Sequence, residues 1–160
     1  ANAFIETANG PRGCGTRAVL EVGSHGSSVV VLKGNIPYLV RDIPVGAVKL
    51  IRQMAEQLQR EESVVATQLK QPSLAPDLHE ALKNASESLT NELQLSFDFF
   101  ESRFGPHPEQ IFLSGGFSQC AGLADALKSH LSKALTVWSP VRDLAREFTV
   151  AYGLALRSES

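Results

Sequence analysis

Two glycine-bearing turns carry the residues of this chain best suited to holding a ligand. The first is Glu21-Val22-Gly23-Ser24-His25-Gly26-Ser27, which joins two strand-like segments. The second is Ile111-Phe112-Leu113-Ser114-Gly115-Gly116, a short apolar strand running into paired glycines, with a helical pattern beyond it from Gly122 to Ala134. Glycine leaves the backbone uncovered, so another group can approach it closely. In open α/β sheets, ligands sit at the carboxyl ends of strands. The chemistry open to such turns is binding by backbone N–H groups and nearby hydroxyls rather than bond-making. Each turn also has a plain structural reading, as a tight hairpin turn or an ordinary Gly-Gly turn.

Other chemistry has less support. His25, His79, His107 and His130 show no ligand spacing with Cys, Asp or Glu, and Cys14 and Cys120 lie too far apart for a zinc or redox motif. The two cysteines read as reduced thiols. Ser27-Ser28 lacks the Gly-x-Ser-x-Gly setting of a nucleophilic serine. His25 reads as a surface turn residue and His130 as a partly buried helix residue. A net charge of -2 gives no strong field toward nucleic acid or anionic lipid. No segment approaches the roughly 18 consecutive apolar residues of a membrane span, and no signal-peptide pattern opens the chain.

The elements that must position the turns follow from periodicity. The 160 residues, 43% of them hydrophobic, suffice for one domain with a real core. Ala18–Val22, Ser28–Leu32 and Ile36–Val40 read as strands, the last two joined by the hairpin signal Lys33-Gly34-Asn35. Arg41-Asp42-Ile43-Pro44-Val45-Gly46 leads into a helix whose Ala47, Leu50, Ile51, Met54, Ala55 and Leu58 form one apolar face. A shorter helix is predicted over about Glu62–Lys70. A long one opens near Pro76, with Asp77 and Glu80 complementing its dipole. It runs to about Arg103, roughly 40 Å at 1.5 Å per residue, and Gly105-Pro106-His107-Pro108 stops it. Phe97, Phe99, Phe100 and Phe104 near its end read as core. Strand Ile111–Leu113, helix Leu123–Leu131, strand Thr136-Val137-Trp138 and a last helix near Asp143–Leu156 complete the pattern. The mixed order predicts an α/β or α+β layered domain. Ala1-Asn2-Ala3-Phe4-Ile5 reads as part of a helix with no beginning, so the chain is expected to come from a longer protein.

In this order the motifs resemble the second half of an actin-like ATPase, and specifically the PilM proteins of type IV pilus assembly, relatives of FtsA. Four stretches carry the likeness. Ala1-Asn2-Ala3-Phe4 is similar to the helix that crosses between the halves of such proteins. Glu21 to Ser27 stands where the family has its second phosphate loop. Arg41-Asp42-Ile43-Pro44-Val45-Gly46 resembles an Arg-x-Ile-Pro-x-Gly-Gly motif. Ile111 to Leu127, with Leu113-Ser114-Gly115-Gly116 and Ala121-Gly122-Leu123, resembles the adenosine motif, and the ending Ala151-Tyr152-Gly153-Leu154-Ala155-Leu156 also fits.

The resemblance implies a ribonuclease-H-like α/β fold with a mixed five-stranded sheet and flanking helices. Residues 1–16 would end the crossing helix and linker. Residues 17–160 would form the second-half domain, with 45–76 as a small helical subdomain. It further implies an ATP-binding cleft with Mg, of which this chain supplies one wall. Gly23, Ser24, Gly26 and Ser27 would hold phosphate, since phosphates need backbone N–H groups at close range. Glu21 would help hold the hydrated metal. Lys70, Gly115, Gly116 and Phe117 would hold the nucleoside. Two departures point to a weakened site. Glu21 replaces the family Asp and is one methylene longer. Thr67 stands where the family has a Glu, and threonine cannot accept both ribose hydroxyls as a carboxylate can. Lys70 also has the plain reading of a solvated helix end. The implied function is a cytoplasmic scaffold module of an inner-membrane pilus or secretion platform, peripheral to the membrane, without efficient catalysis. Its expected partners are the missing first half and a PilN-like protein that binds mainly that half. The alternatives are an active ATPase or sugar-kinase-like enzyme of the same superfamily, and an FtsA-like filament former. All of these expectations require the two glycine turns to converge on one half-pocket.

Overall fold

A computed structural model describes residues 15–131 and 133–138. The predicted segments Ala1–Ile5 and Asp143–Leu156, and Cys14, lie outside these residues. Five strands form one sheet in the order β3-β2-β1-β4-β5. They are β1 (Thr16–Val22), β2 (Ser27–Lys33), β3 (Ile36–Ile43), β4 (Gln110–Ser114) and β5 (Ala134–Val137). Strands β1, β2 and β3 pair antiparallel through tight turns, while β4 pairs parallel with β1 and with β5. The domain is thus the mixed α/β sheet expected, because a parallel pair needs a crossover long enough for helices.

Strand alternation separates two faces. Ala18, Leu20, Val22, Val29, Val31, Ile111 and Leu113 point into the main core, where they meet the helices. Val19, Val30, Leu32, Phe112 and Trp138 form a smaller cluster on the opposite face. The helical layer comprises α1 (Ala47–Leu58), α2 (Glu62–Gln68), α3 (Pro76–Phe104) and α4 (Leu123–Leu131). Helix α1 buries Leu50, Met54 and Ala55, the face its spacing predicts. Helix α3 runs for 29 residues, with Pro76 in its first turn and Gly105 (φ 130°) just beyond its last. It backs the sheet with Leu82, Leu89, Leu93, Phe97 and Phe100, all fully buried. The buried hydroxyls of Ser86 and Thr90 on this helix donate to the carbonyls of Leu82 and Ser86 one turn back, 2.7 and 2.5 Å away. Those bonds remove the cost of burying an unpaired hydroxyl.

Several expectations need correction. Arg41, Asp42 and Ile43 do not lead away from the sheet; they extend β3, paired with Val29, Ser28 and Ser27. Helix α2 stops at Gln68, leaving Lys70 in the turn beyond it. The helical pattern after Gly122 ends at Leu131, and Ala134 opens β5. Phe99 leaves the aromatic core: it is 45% exposed, with the Arg103 guanidinium 5.0 Å from its ring centre. A helix turns each residue by about 100° from the last, so Phe97 and Phe100 share the inner face while Phe99 cannot. His130 is exposed rather than partly buried, its Nε2 lying 3.0 Å from the Lys83 carbonyl.

Candidate functional site

The β1–β2 turn is closed by the Gly23 N–H donating to the Gly26 carbonyl at 3.0 Å. The loop carbonyls point at the start of α1. The N–H groups of Ala47 and Val48 donate to the carbonyls of Gly23 and Ser24, each at 2.9 Å. These bonds satisfy two of the donors that a helix leaves open at its N-terminus. Gly46 makes this seating possible. A Cβ there would lie 2.5 Å from Gly26 N and 2.7 Å from the Ser24 carbonyl oxygen. Gly46 is extended at φ -131°, so its role is close approach, not conformational freedom. The motif around Gly46 marks the residue in the sequence without indicating this contact. The Ile-Pro-x-Gly spacing was the available signal.

Gly115 ends β4 at φ 91° and ψ 166°, a conformation essentially reserved for glycine. A Cβ at this position would lie 2.5 Å from the Val22 carbonyl oxygen. The two glycine turns therefore sit side by side at the carboxyl ends of neighbouring parallel strands. Beyond Gly115 a 3-10 turn spans Gly116–Gln119, an element absent from the sequence expectation. It is closed by the buried Ser118 hydroxyl donating to the Gly115 carbonyl at 2.7 Å.

Three adjoining clefts gather the residues named from sequence. One of about 370 Å³ is lined by Glu21, Gly23, Ser24, Ala47, Gly116 and Phe117. A second of about 380 Å³ shares Gly116 and Phe117 and adds Ile51, Ala66, Lys70 and Gln119. The third, of about 580 Å³, shares Glu21 and Gly23 with the first and adds His25, Gly26, Ser27 and Asp42. Gly115 stands behind the first two, buried against Val22. Ser27 enters the third cleft only in part, because its buried hydroxyl donates to the Val45 carbonyl at 2.6 Å. That bond ties β2 to the approach of α1. His25 is exposed on the loop, as expected.

Charge at the site is sparse. Register places Glu21 of β1 between Ser28 of β2 and Ser114 of β4, with Asp42 of β3 opposite Ser28. Burial raises the Glu21 carboxyl above the ordinary glutamate range. Burial also pushes the Cys120 thiol up to about 12, so at neutral pH it remains protonated. Among the described residues, no three of His, Cys, Asp and Glu gather as a metal-binding set. Glu21 thus offers a single carboxylate. That number suits Mg, which is commonly held by one or two carboxylates with phosphate oxygens and water. Thr67 is exposed, and its hydroxyl donates to the Ser63 carbonyl at 2.8 Å. Among the described residues, no helix is long and apolar enough to cross a membrane.

No protein-family model matches the chain, and a search of curated proteins gave no match. Solved structures do match. A PilM-PilN type IV pilus biogenesis complex aligns with TM-score 0.73 and 26% identity over 93% of this chain and 47% of that chain. The ethanolamine utilization protein EutJ from Carboxydothermus hydrogenoformans aligns with TM-score 0.64 and 15% identity over 98% of this chain and 54% of its own. Ta0583, an archaeal actin homolog in complex with ADP, aligns with TM-score 0.63 and 17% identity over 92% of this chain and 51% of that one. The chain therefore spans about half the length of the solved chains it matches. Strand order, paired glycine turns and these matches agree: the chain has the actin-like ATPase fold, and within that fold it resembles PilM.

Proposed function

We propose that this chain is one wall of the nucleotide cleft of a PilM-like assembly scaffold, with the facing wall supplied by a first half outside this sequence. The observation that carries the reading is that Gly23 and Ser24 share a cleft with Gly116 and Phe117, which also line the adjoining cleft that Lys70 borders. In this reading Ser24 and Gly26 present the loop backbone to phosphate, Gly23 closes the turn through its own N–H and lets the phosphate approach, and Ser27 anchors the loop. Gly116, Phe117 and Lys70 border the nucleoside, and Glu21 supports a hydrated Mg. The protein is an ATP-binding scaffold whose nucleotide biases closure of two halves rather than driving turnover. Residues 17–160 form the second-half domain, and 45–76 are the helical subdomain that carries the Lys70 wall. The site is weakened, because Glu21 is longer than aspartate and partly buried, and no carboxylate stands at position 67. The partner is a PilN-like inner-membrane protein, met mainly through the first half, which places the assembly on the cytoplasmic side of that membrane. The PilM-PilN neighbour supports the partner, and the ADP-bound neighbour supports the nucleotide.

Titration of the labelled chain with Mg-ATP, followed by amide NMR, tests the reading. Shifts are expected at Gly23–Ser27 and Gly115–Phe117, with a Kd weaker than about 100 μM. Micromolar affinity would contradict a weakened site, and unshifted glycine turns would contradict the nucleotide reading.

A further inference from the structure

We propose that the outer edge of β3, with the flank of α3 beside it, docks a second copy of this chain, the two β3 strands pairing antiparallel about a two-fold axis. The proposal is independent of the nucleotide reading. Seven large hydrophobic side chains are exposed among the described residues, and five of them lie here: Ile36, Tyr38 and Val40 on β3, and Leu95 and Phe99 on α3. Strand β3 is the outermost strand of the described sheet on its side. Arg41 ties it to α3, donating to the Glu92 carboxylate at 2.7 Å and to the Ser96 hydroxyl at 3.1 Å. Leu95 and Phe99 follow Glu92 and Ser96 by three residues each, so they share the helix flank that borders the strand. Tyr38 lies 5.8 Å from Phe104, ring centre to ring centre. Single exposed apolar residues are ordinary; five on one flank make a patch of the kind that marks an interaction site.

The backbone selects the occupant. The Gly23 N–H bonds to the Gly26 carbonyl, and antiparallel pairs alternate between bonded and unbonded. Counting along the register from that pair makes Glu21–Ser28 and Val19–Val30 bonded pairs, so Val29 and Val31 turn their polar groups to Arg41 and Leu39. Val40 and Asp42 are left with N–H and carbonyl groups directed away from the sheet. Earlier in the strand, Pro37 has no N–H and a bulge leaves Tyr38 out of register with β2, features that blunt an edge. The open stretch is therefore Val40–Asp42. A second β3 can bond to it in three registers. Val40 against Asp42 sets Arg41 opposite its own counterpart, and Asp42 against Asp42 sets two carboxylates together; both are destabilising. Val40 against Val40 sets Arg41 opposite Leu39 and Asp42 opposite Tyr38, with no like charges facing. The two-fold then lays α3 beside its counterpart on one face of a continuous sheet, with Leu95 and Phe99 between them. At roughly 150–250 Å² for a large side chain, the exposed parts of the five residues offer on the order of 450 Å² per chain, more than half of the 800 Å² or so that each partner in a specific complex buries. That area fits a weak, reversible dimer.

Sedimentation equilibrium of the full chain tests the proposal. A monomer–dimer equilibrium is expected, with Kd on the order of 10 μM. Val40→Lys sets two ammonium groups against each other at the two-fold and should weaken the dimer at least about tenfold. Val40 is 66% exposed, so the variant should keep the parent's circular dichroism spectrum. Val64→Lys, at an exposed position on α2, should leave the Kd unchanged. In the Val40 register the paired Cα atoms stand about 5.5 Å apart, so Val40→Cys should give a covalent dimer with a short bismaleimide, well above the yield of the parent chain and of Val64→Cys. A chain still monomeric at about 200 μM would overturn the second copy as occupant. Polymers larger than a dimer would overturn the two-fold contact, which closes on itself. A dimer equally sensitive to Val40→Lys and Val64→Lys, or insensitive to both, would overturn its placement on β3.

Discussion

Replacing Gly115 by alanine should separate the end of β4 from β1, and the size of the effect follows from geometry. At φ 91° and ψ 166°, Gly115 occupies backbone space that costs another residue about 1–3 kcal/mol. The added Cβ would also lie 2.5 Å from the Val22 carbonyl oxygen and 2.8 Å from Val22 N. Both are backbone atoms of β1, so no side-chain rotation relieves the overlap. Relief requires the strand ends to part beside the Glu21–Ser114 pairing, and each ladder bond lost there costs about 1 kcal/mol. With one or two such bonds lost the sum is roughly 2–5 kcal/mol, a large share of the 5–15 kcal/mol or so that stabilises a domain. Gly34→Ala is the control. Gly34 has φ 60°, but a Cβ there meets nothing within 4 Å, so its cost is the conformational one alone, about 1–2 kcal/mol. Urea unfolding followed through Trp138, the single tryptophan, reads both variants. The midpoint of Gly115→Ala should fall well below that of Gly34→Ala at unchanged slope. Equal losses in the two variants would show that the contact with Val22 carries no energy, and the reasoning about the turn would be wrong.

Two further outcomes are expected. Gly46→Ala keeps an unstrained backbone but drives a methyl group into Gly26 N and the Ser24 carbonyl. It should cost about 2–4 kcal/mol through overlap and the loss of two helix-capping bonds, and amide exchange should accelerate at Ala47 and Val48; unchanged protection there would refute the coupling of loop and helix. For Glu21, burial raises the folded-state pKa, so the folded chain binds more protons than the unfolded chain across that window, and stability falls as pH rises through it. Glu21→Gln should therefore be more stable than the parent at about pH 7, with the difference closing toward about pH 4; a difference independent of pH would show that the carboxyl is not desolvated.

The strands, the helices and both glycine turns were legible in the residues because their causes are local. Alternation marks the strands, Pro76 and Gly105 bracket α3, and a hairpin signal joins β2 to β3. The likeness to PilM was legible for a related reason, since it rests on the order of short motifs along the chain. What a side chain meets across the fold is a different matter. Local spacing marks the aromatic run near the end of α3 as apolar, but only packing against the sheet buries Phe97 and Phe100 and leaves Phe99 outside. Arg41–Ile43 become strand because Ser27–Val29 lie beside them. Gly46 needs its missing side chain because a loop more than a turn of chain away presses on it. Lys70 and Phe117 share a cleft because α3 and β4, the elements between them in the chain, bring the later residue back to the earlier one. Each of these outcomes is a contact between segments distant in sequence. The sequence by itself marked the two glycine turns as candidates; chain folding alone brought Gly23, Ser24, Gly116 and Phe117 together at the carboxyl ends of β1 and β4, because those strands pair only in the folded chain.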